Sequence, residues 1–221
     1  RVTDVVDVEP ASARPPYAQA LSARTASARY AIDLPVHGLF QITNAATAIA
    51  VLERLPPSLR PTARSVERGL AHVVIPGRME IFAGAPPCVL DIAHNEEKAR
   101  SLVASLREAF GGTRLHYVVA IGESKNTRQI IATLAELPAT FTFTAFDVIG
   151  RHATDPRELV SVATDLGIAA RAVEDPFEAF ATVCRDATPD DLVVVTGSTF
   201  VVAALREALL GGVADAVESS A

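Results

Sequence analysis

An α/β fold, with a mostly parallel sheet covered by helices on both faces, is what this sequence predicts from about residue 76 onward. Three observations predict it. Short β-rich runs alternate with helical patterns of ten or more residues, the order expected of βαβ units. One such run, "CVLDI", is apolar as far as Leu90, as a buried parallel strand is. Polar, chemically competent residues then gather where the runs end, which is where an open parallel sheet carries its ligands.

The predicted strands are "RMEIF", "CVLDI", "LHYVVAI", "FTFTAF", "AARAV" and "DLVVVT". Between and after them, helices are predicted at roughly 96–110, 127–137, 155–166, 176–185 and 199–210. Ahead of this pattern, residues 1–29 are rich in Ala, Ser and Pro and predict an irregular leader, with a short helix at "YAQALSAR". "ARYAIDLPV" predicts a short strand. A helix then starts after Gly38 with Ile49, Leu52 and Leu55 on one face, and Pro56 and Pro57 stop it. Another follows, with Thr62 as N-cap and Val66, Leu70 and Val73 as its apolar stripe. The expected domains are therefore 1–75, a leader plus helices; 76–212, the α/β domain; and 213–221, a frayed tail.

Composition narrows the function. With 49% hydrophobic and 21% charged residues in 221, the chain buries a real core. A net charge of −6 with interspersed signs offers no basic stripe to a nucleic acid. No apolar run has the length of a membrane span and no signal peptide is evident, while Cys88 and Cys184, far apart and without CxxC spacing, predict reduced thiols in a cytoplasmic protein. The chain begins at Arg1 without a methionine, which predicts an excised or processed piece.

Four strand ends carry the candidate chemistry: Asp91, His94 and Asn95; Ser124, Lys125 and Asn126; Arg151 and His152; Gly197, Ser198 and Thr199. Asn95 also fits a plain N-cap with acids in the first helical turn, and on spacing alone Ser198 is a cap as well. Asp91 is harder to explain structurally, because an ionised carboxylate at a buried strand end needs a partner. Only two of the 20 basic residues are lysines, so Lys125 in such a loop suits a phosphate oxygen, against the rival of a surface lysine. Arg151 lies in a loop where solvation is the default. There is no GxGxxG after a strand, no GxSxG, no HExxH, no metal-type Cys/His cluster and no GxxxxGK[ST] phosphate loop.

Taken in order, "LPVHGLFQITNAATAIAVL", "IPGRMEIF", "VLDIAHNEEKARSL", "AIGESKN", Arg151 and "DDLVVVTGSTFVVAALR" resemble the C-terminal portion of the folylpolyglutamate synthase/dihydrofolate synthase group of the Mur ligase family. The resemblance runs from about Tyr30 to Leu210. It implies a Rossmann-like domain preceded by a helical remnant of a central ATPase domain. It also implies an ATP-dependent ligase that activates a folate or pteroate carboxylate as an acyl phosphate and lets the amine of L-glutamate attack it. By position, Asn44, Arg78, Asp91 and His94 would serve the nucleotide, Lys125 and His94 the chemistry, and Asn95, Arg151 and Ser198 the substrate. The implied cofactors are ATP and Mg2+, with the phosphate loop and the metal ligands in an N-terminal ATPase domain of the same enzyme, so that the chain alone is inactive.

The sequence departs from the family pattern at Phe40 for a histidine, Ile92 for a glycine, Glu96 for a proline, and Ser124 and Asn126 for two acids. The alternatives are another Mur-family ligase with a different acid and amino acid, and a non-catalytic module that binds a ligand or a partner.

Overall fold

Leu21 and Ala23 alternate with Ser22 and Arg24, and the fold puts the first two inside and the last two in solvent. That two-residue period is a strand's. In the computed structural model, which describes residues 7–14 and 18–218, "YAQALSAR" accordingly contributes to a strand and not to a helix. The leader expected to be irregular is a sheet: β1 (Asp7–Arg14), β2 (Ala18–Arg24) and β3 (Arg29–Leu34) pair antiparallel in that order. Pairing on both edges of β2 and burial of one face override the helix preference of its three alanines.

The chain divides into two units between Pro76 and Gly77. In the first, α1 (Leu39–Glu53) and α2 (Ala63–Leu70) join the sheet around a core of Leu21, Tyr30, Ile32, Leu34, Ile49 and Val66. Leu52, Leu70 and Val73 pack at its margin. Thr62 caps α2, its side chain accepting the N–H of Ser65.

The second unit holds the predicted α/β fold. Its elements are β4 (Glu80–Phe82), β5 (Cys88–Leu90), α3 (Glu96–Ala109), β6 (Leu115–Val119), α4 (Thr127–Leu134), β7 (Ala139–Phe143), β8 (Asp147–Val148), β9 (Arg151–His152), α5 (Pro156–Asp165), β10 (Ala170–Ala172), α6 (Pro176–Asp186), β11 (Leu192–Thr196) and α7 (Thr199–Glu218). The six-stranded sheet runs β10-β7-β6-β11-β5-β4, parallel except for β4 at one edge. Every residue of β5, β6 and β11 is buried, because helices cover both faces. Leu90, Val118, Val193 and Val195 pack with Ala179 and Val183 of α6 and with Val201, Val202 and Leu205 of α7. The alternate residues Val89, Tyr117, Val119 and Val194 point to the opposite face.

Two local expectations are corrected. The tail expected to fray from 213 continues α7 to Glu218, and residues 219–221 lie outside those described. The segment 147–152 forms a hairpin, β8 with β9, around a two-residue turn in which Gly150 has φ 74°. No helix among the described residues is long and apolar enough to cross a membrane.

At the N-terminal edge of the sheet, the buried His116 ties three segments together. Its Nδ1 meets Thr140 Oγ1 at 2.8 Å and its Nε2 meets Asp191 Oδ2 at 3.1 Å, while that same oxygen accepts the N–H of Thr188 at 2.8 Å. The Thr188 N–H, followed by His116, holds the Asp191 carboxyl below its ordinary range, against the desolvation of the site. A depressed carboxyl contributes stability that is complete above its unfolded pKa and lost as pH falls through the folded one. Asp191→Asn is therefore expected to lower the urea midpoint at pH 7 and to narrow its gap from the unsubstituted chain as pH falls toward 3; an equal gap at both pH values would refute the coupling.

Candidate functional site

The carboxyl edge of the second unit's sheet is built by straps between neighbouring strand ends. β5 stops at Leu90, yet the Asp91 N–H still bonds Val195 O at 3.0 Å and the Ile92 N–H turns to Gly77 O at 2.9 Å. The Asp91 carboxylate is itself a strap. One oxygen accepts the Met79 N–H and the other the Ala93 N–H, both at 2.9 Å. The residue is 3% exposed, and burial pushes its carboxyl up to about 6, opposed by those two N–H groups and by the charges of Arg78 and Lys98.

Around it, "PGRM" folds as a tight turn. Gly77 takes φ 63°, and a Cβ there would lie 2.8 Å from Ile92 Cγ2 and 2.9 Å from Val202 Cγ1. Its N–H bonds Glu80 Oε2 at 2.7 Å, and Arg206 of α7 holds both oxygens of Glu80 at 3.0 and 2.8 Å. Arg78 is thereby carried on a turn pinned from β5 and from α7.

The next residues point outward. His94 Nδ1 lies 2.9 Å from Ile92 O, which accepts only, so Nδ1 carries the proton and Nε2 of the neutral ring is an acceptor. Asn95 Oδ1 accepts the Lys98 N–H at 2.9 Å and caps α3. Across the edge, the Lys125 N–H closes a turn on Gly122 O at 3.0 Å, and Asn126 caps α4 through the Gln129 N–H. The hairpin is tied to this loop by Glu123 N–H to His152 O at 3.2 Å and by Thr154 N–H to Ile121 O at 2.8 Å. Those two bonds bring Arg151 and His152 beside the β6 end.

The last strap is at Gly197. Its N–H bonds Ala93 O at 2.9 Å, its φ is 95°, and a Cβ there would stand 2.5 Å from Ala120 O. Only glycine fits so close to a neighbouring backbone. Ser198 follows, buried, its Oγ accepting the Phe200 N–H at 3.1 Å.

Four predicted residues, three from strand-end loops and one from the β8–β9 hairpin, meet as a result. His94, Lys125, Arg151 and Ser198 line one cleft of about 580 Å³, floored in part by Phe146 and Phe200 with ring centroids 5.0 Å apart. Asp91, Asn95 and Arg78 are not among its lining. Asn44 belongs to the first unit, exposed on α1, and donates to Gln41 Oε1 at 2.9 Å. Glu123, Phe146 and Phe200 were not singled out from sequence; Glu123 had a signal, standing in the same "GESKN" loop as Lys125, whereas nothing local marks the two rings as neighbours.

Residues 77–199 match the family model described as Mur ligase, glutamate ligase domain. The chain belongs to the Mur ligase family. It is 33% identical over 178 residues to a probable bifunctional folylpolyglutamate synthase/dihydropteroate synthase of Haloferax volcanii, covering 79% of this chain and 20% of that protein. A folylpolyglutamate synthase structure from Thermotoga maritima superposes with a TM-score of 0.75 at 29% identity, over 94% of this chain and 47% of that one. A bifunctional folylpolyglutamate synthase/dihydrofolate synthase solved with Mn, AMPPNP and L-glutamate bound gives 0.69 at 28% identity, over 86% of this chain and 44% of that one. The chain is thus similar to these folylpolyglutamate synthases, and it spans less than half the length of each.

The sign of the Asp91 shift sets a measurable pH window. A carboxyl raised in the folded state keeps a proton that the unfolded chain loses from about pH 4, so stability falls as pH rises toward 6, by up to about 3 kcal/mol. Asp91→Asn cannot ionise and turns an NH2 group toward one of the two N–H donors, costing about 1–3 kcal/mol at pH 4. In paired urea titrations the difference between Asp91→Asn and the unsubstituted chain is expected to shift by about that 3 kcal/mol in the variant's favour from pH 4 to pH 7. A constant difference would refute the assignment.

Proposed function

We propose that this Mur ligase segment is the amino-acid-accepting part of an ATP-dependent ligase that joins L-glutamate to a folate or pteroate carboxylate through an acyl phosphate, working in the cytoplasm. The observation that carries this reading is the convergence of Lys125 and Arg151, neither in an ion pair among the described residues, with His94 and Ser198 in one cleft at the carboxyl edge of the sheet. Unpaired cations beside a hydroxyl suit a ligand rich in carboxylates.

Lys125 and Arg151 neutralise the carboxylates of the glutamate, and the Ser198 hydroxyl donates to one of them while its oxygen stays on the Phe200 N–H. The His94 Nε2, an acceptor in the neutral ring, receives an N–H of the amine and turns its lone pair toward the activated carbon. The amine nitrogen bonds that carbon, the bond from carbon to the phosphate oxygen breaks with release of phosphate, and the nitrogen's surplus proton passes to the His94 Nε2. Asn95 keeps only its Nδ2 for substrate, since Oδ1 caps α3.

Arg78, Asp91 and His94 are assigned to the nucleotide. The donor set fits: Arg78 offers charge, and each Asp91 oxygen, after one backbone N–H, keeps acceptor capacity for a ribose hydroxyl. ATP, when bound, supplies the phosphoryl group that activates the acid. The Mg2+ ligands are assigned, with the phosphate loop, to an N-terminal ATPase domain of the same enzyme, the division of parts that the family resemblance implies.

The purified chain is expected to hydrolyse no ATP and to bind nucleotide weakly. Glutamate-dependent phosphate release from this chain with folate or pteroate would overturn that division of labour. Calorimetry is expected to detect L-glutamate binding that Lys125→Met weakens about tenfold or more; unchanged affinity would remove Lys125 from the site.

A further inference from the structure

A second cleft, of about 950 Å³, adjoins the first, and Glu123, Phe146 and His152 line both. Its other walls carry Asp147, Asp155, Glu174, Asp175 and Glu178 against one arginine, Arg157. Two of these acids are already engaged as helix caps, Asp155 accepting the Arg157 N–H at 2.8 Å and Asp175 the Glu178 N–H at 2.7 Å. The side chain of Glu123 is not engaged.

Glu123 stands on the divide between the clefts, fixed there through its backbone bond to His152 O. Its carboxylate is exposed and makes no hydrogen bond or ion pair among the described residues, although Lys125 and Arg151 line the same cleft and are likewise unpaired there. Side chains on three separate backbone positions thus present two positive charges and one negative charge to a common space without neutralising one another. The negative charge lies on the side that opens toward the acid-rich wall, so the potential of that wall reinforces it. An α-amino acid with an acidic side chain has the inverse pattern, two carboxylates and one ammonium.

We propose that Glu123 is a specificity-determining residue of the cleft, receiving the α-ammonium of the incoming amino acid while Lys125 and Arg151 take its carboxylates. This rests on the reading of the cleft as the amino-acid subsite. It makes the cleft selective for a ligand with a free ammonium over a plain dicarboxylate, and it fixes which end of the ligand enters beside Glu123. The ammonium is held there as a hydrogen-bond donor; no covalent step is assigned to Glu123.

The test compares L-glutamate with glutarate, which has the same two carboxylates and no ammonium, by calorimetry on the purified chain and on Glu123→Gln. The unsubstituted chain is expected to bind glutamate about tenfold or more tightly than glutarate, the range of a charge-assisted hydrogen bond. Glu123→Gln, an exposed isosteric change, is expected to bring that ratio close to one by weakening glutamate and leaving glutarate unchanged or tighter. A preference that survives in Glu123→Gln overturns the proposal. Equal binding of both ligands by the unsubstituted chain also overturns it, while leaving the cleft as a dicarboxylate site. Failure of both ligands to bind overturns the proposal and the subsite reading together.

Discussion

The carboxylate of Asp91 sits at the end of a strand buried on both faces, where a charge without partners is not tolerated. It finds them in two backbone N–H groups from segments twelve and two residues away, those of Met79 and Ala93. Satisfying one charge therefore fixes the edge strand's entry turn and the exit loop of β5 in a single arrangement. Because Gly197 bonds Ala93 O and presses against Ala120 O, the same arrangement sets the start of α7 against the end of β6. The cleft inherits its shape from that chain of short contacts.

The two edges of the sheet use polar groups differently. At the N-terminal edge, the buried His116 and Asp191 satisfy each other, and the Thr140 hydroxyl and the Thr188 N–H, both on exposed residues, complete their bonding. At the carboxyl edge the backbone carries the connections, through Asp91, Ile92, Glu123, Lys125 and Gly197, and the side chains of Lys125, Arg151 and Glu123 stay unpaired. Stability is drawn from one edge and ligand-facing charge is kept at the other, as expected where loops follow parallel strands into helices. Keeping charges unpaired at such a site has a modest cost on a solvated rim, since exposed ion pairs contribute little.

The repeating part of the fold was legible because its signals are local. Six strands and five helices of the second unit follow from apolar runs and helical periodicity, and Asn95 and Thr62 cap helices as their positions predict. The first strands were not legible: β1 and β2 are built of residues with weak β preference, and their pairing with β3 supplies what propensity does not. The hairpin of β8 and β9 was missed for a related reason, since it has two residues a side and is secured by bonds to the β6 loop.

The site divides in the same way. Sequence by itself determined the family, the parallel α/β architecture and the residue types at each strand end, including His94, Lys125, Arg151 and Ser198, because strand ends and family motifs are read along the chain. Tertiary structure alone decided which of them share a cleft. It separated Asp91 and Asn95, whose carboxylate and amide oxygens face inward to backbone N–H groups, from their neighbour His94, whose Nε2 is left as an acceptor. It also added Glu123, since the make-up of a cleft depends on distances between segments far apart in the chain, such as those that carry Glu123 and Ser198. No local signal in the sequence encodes those distances.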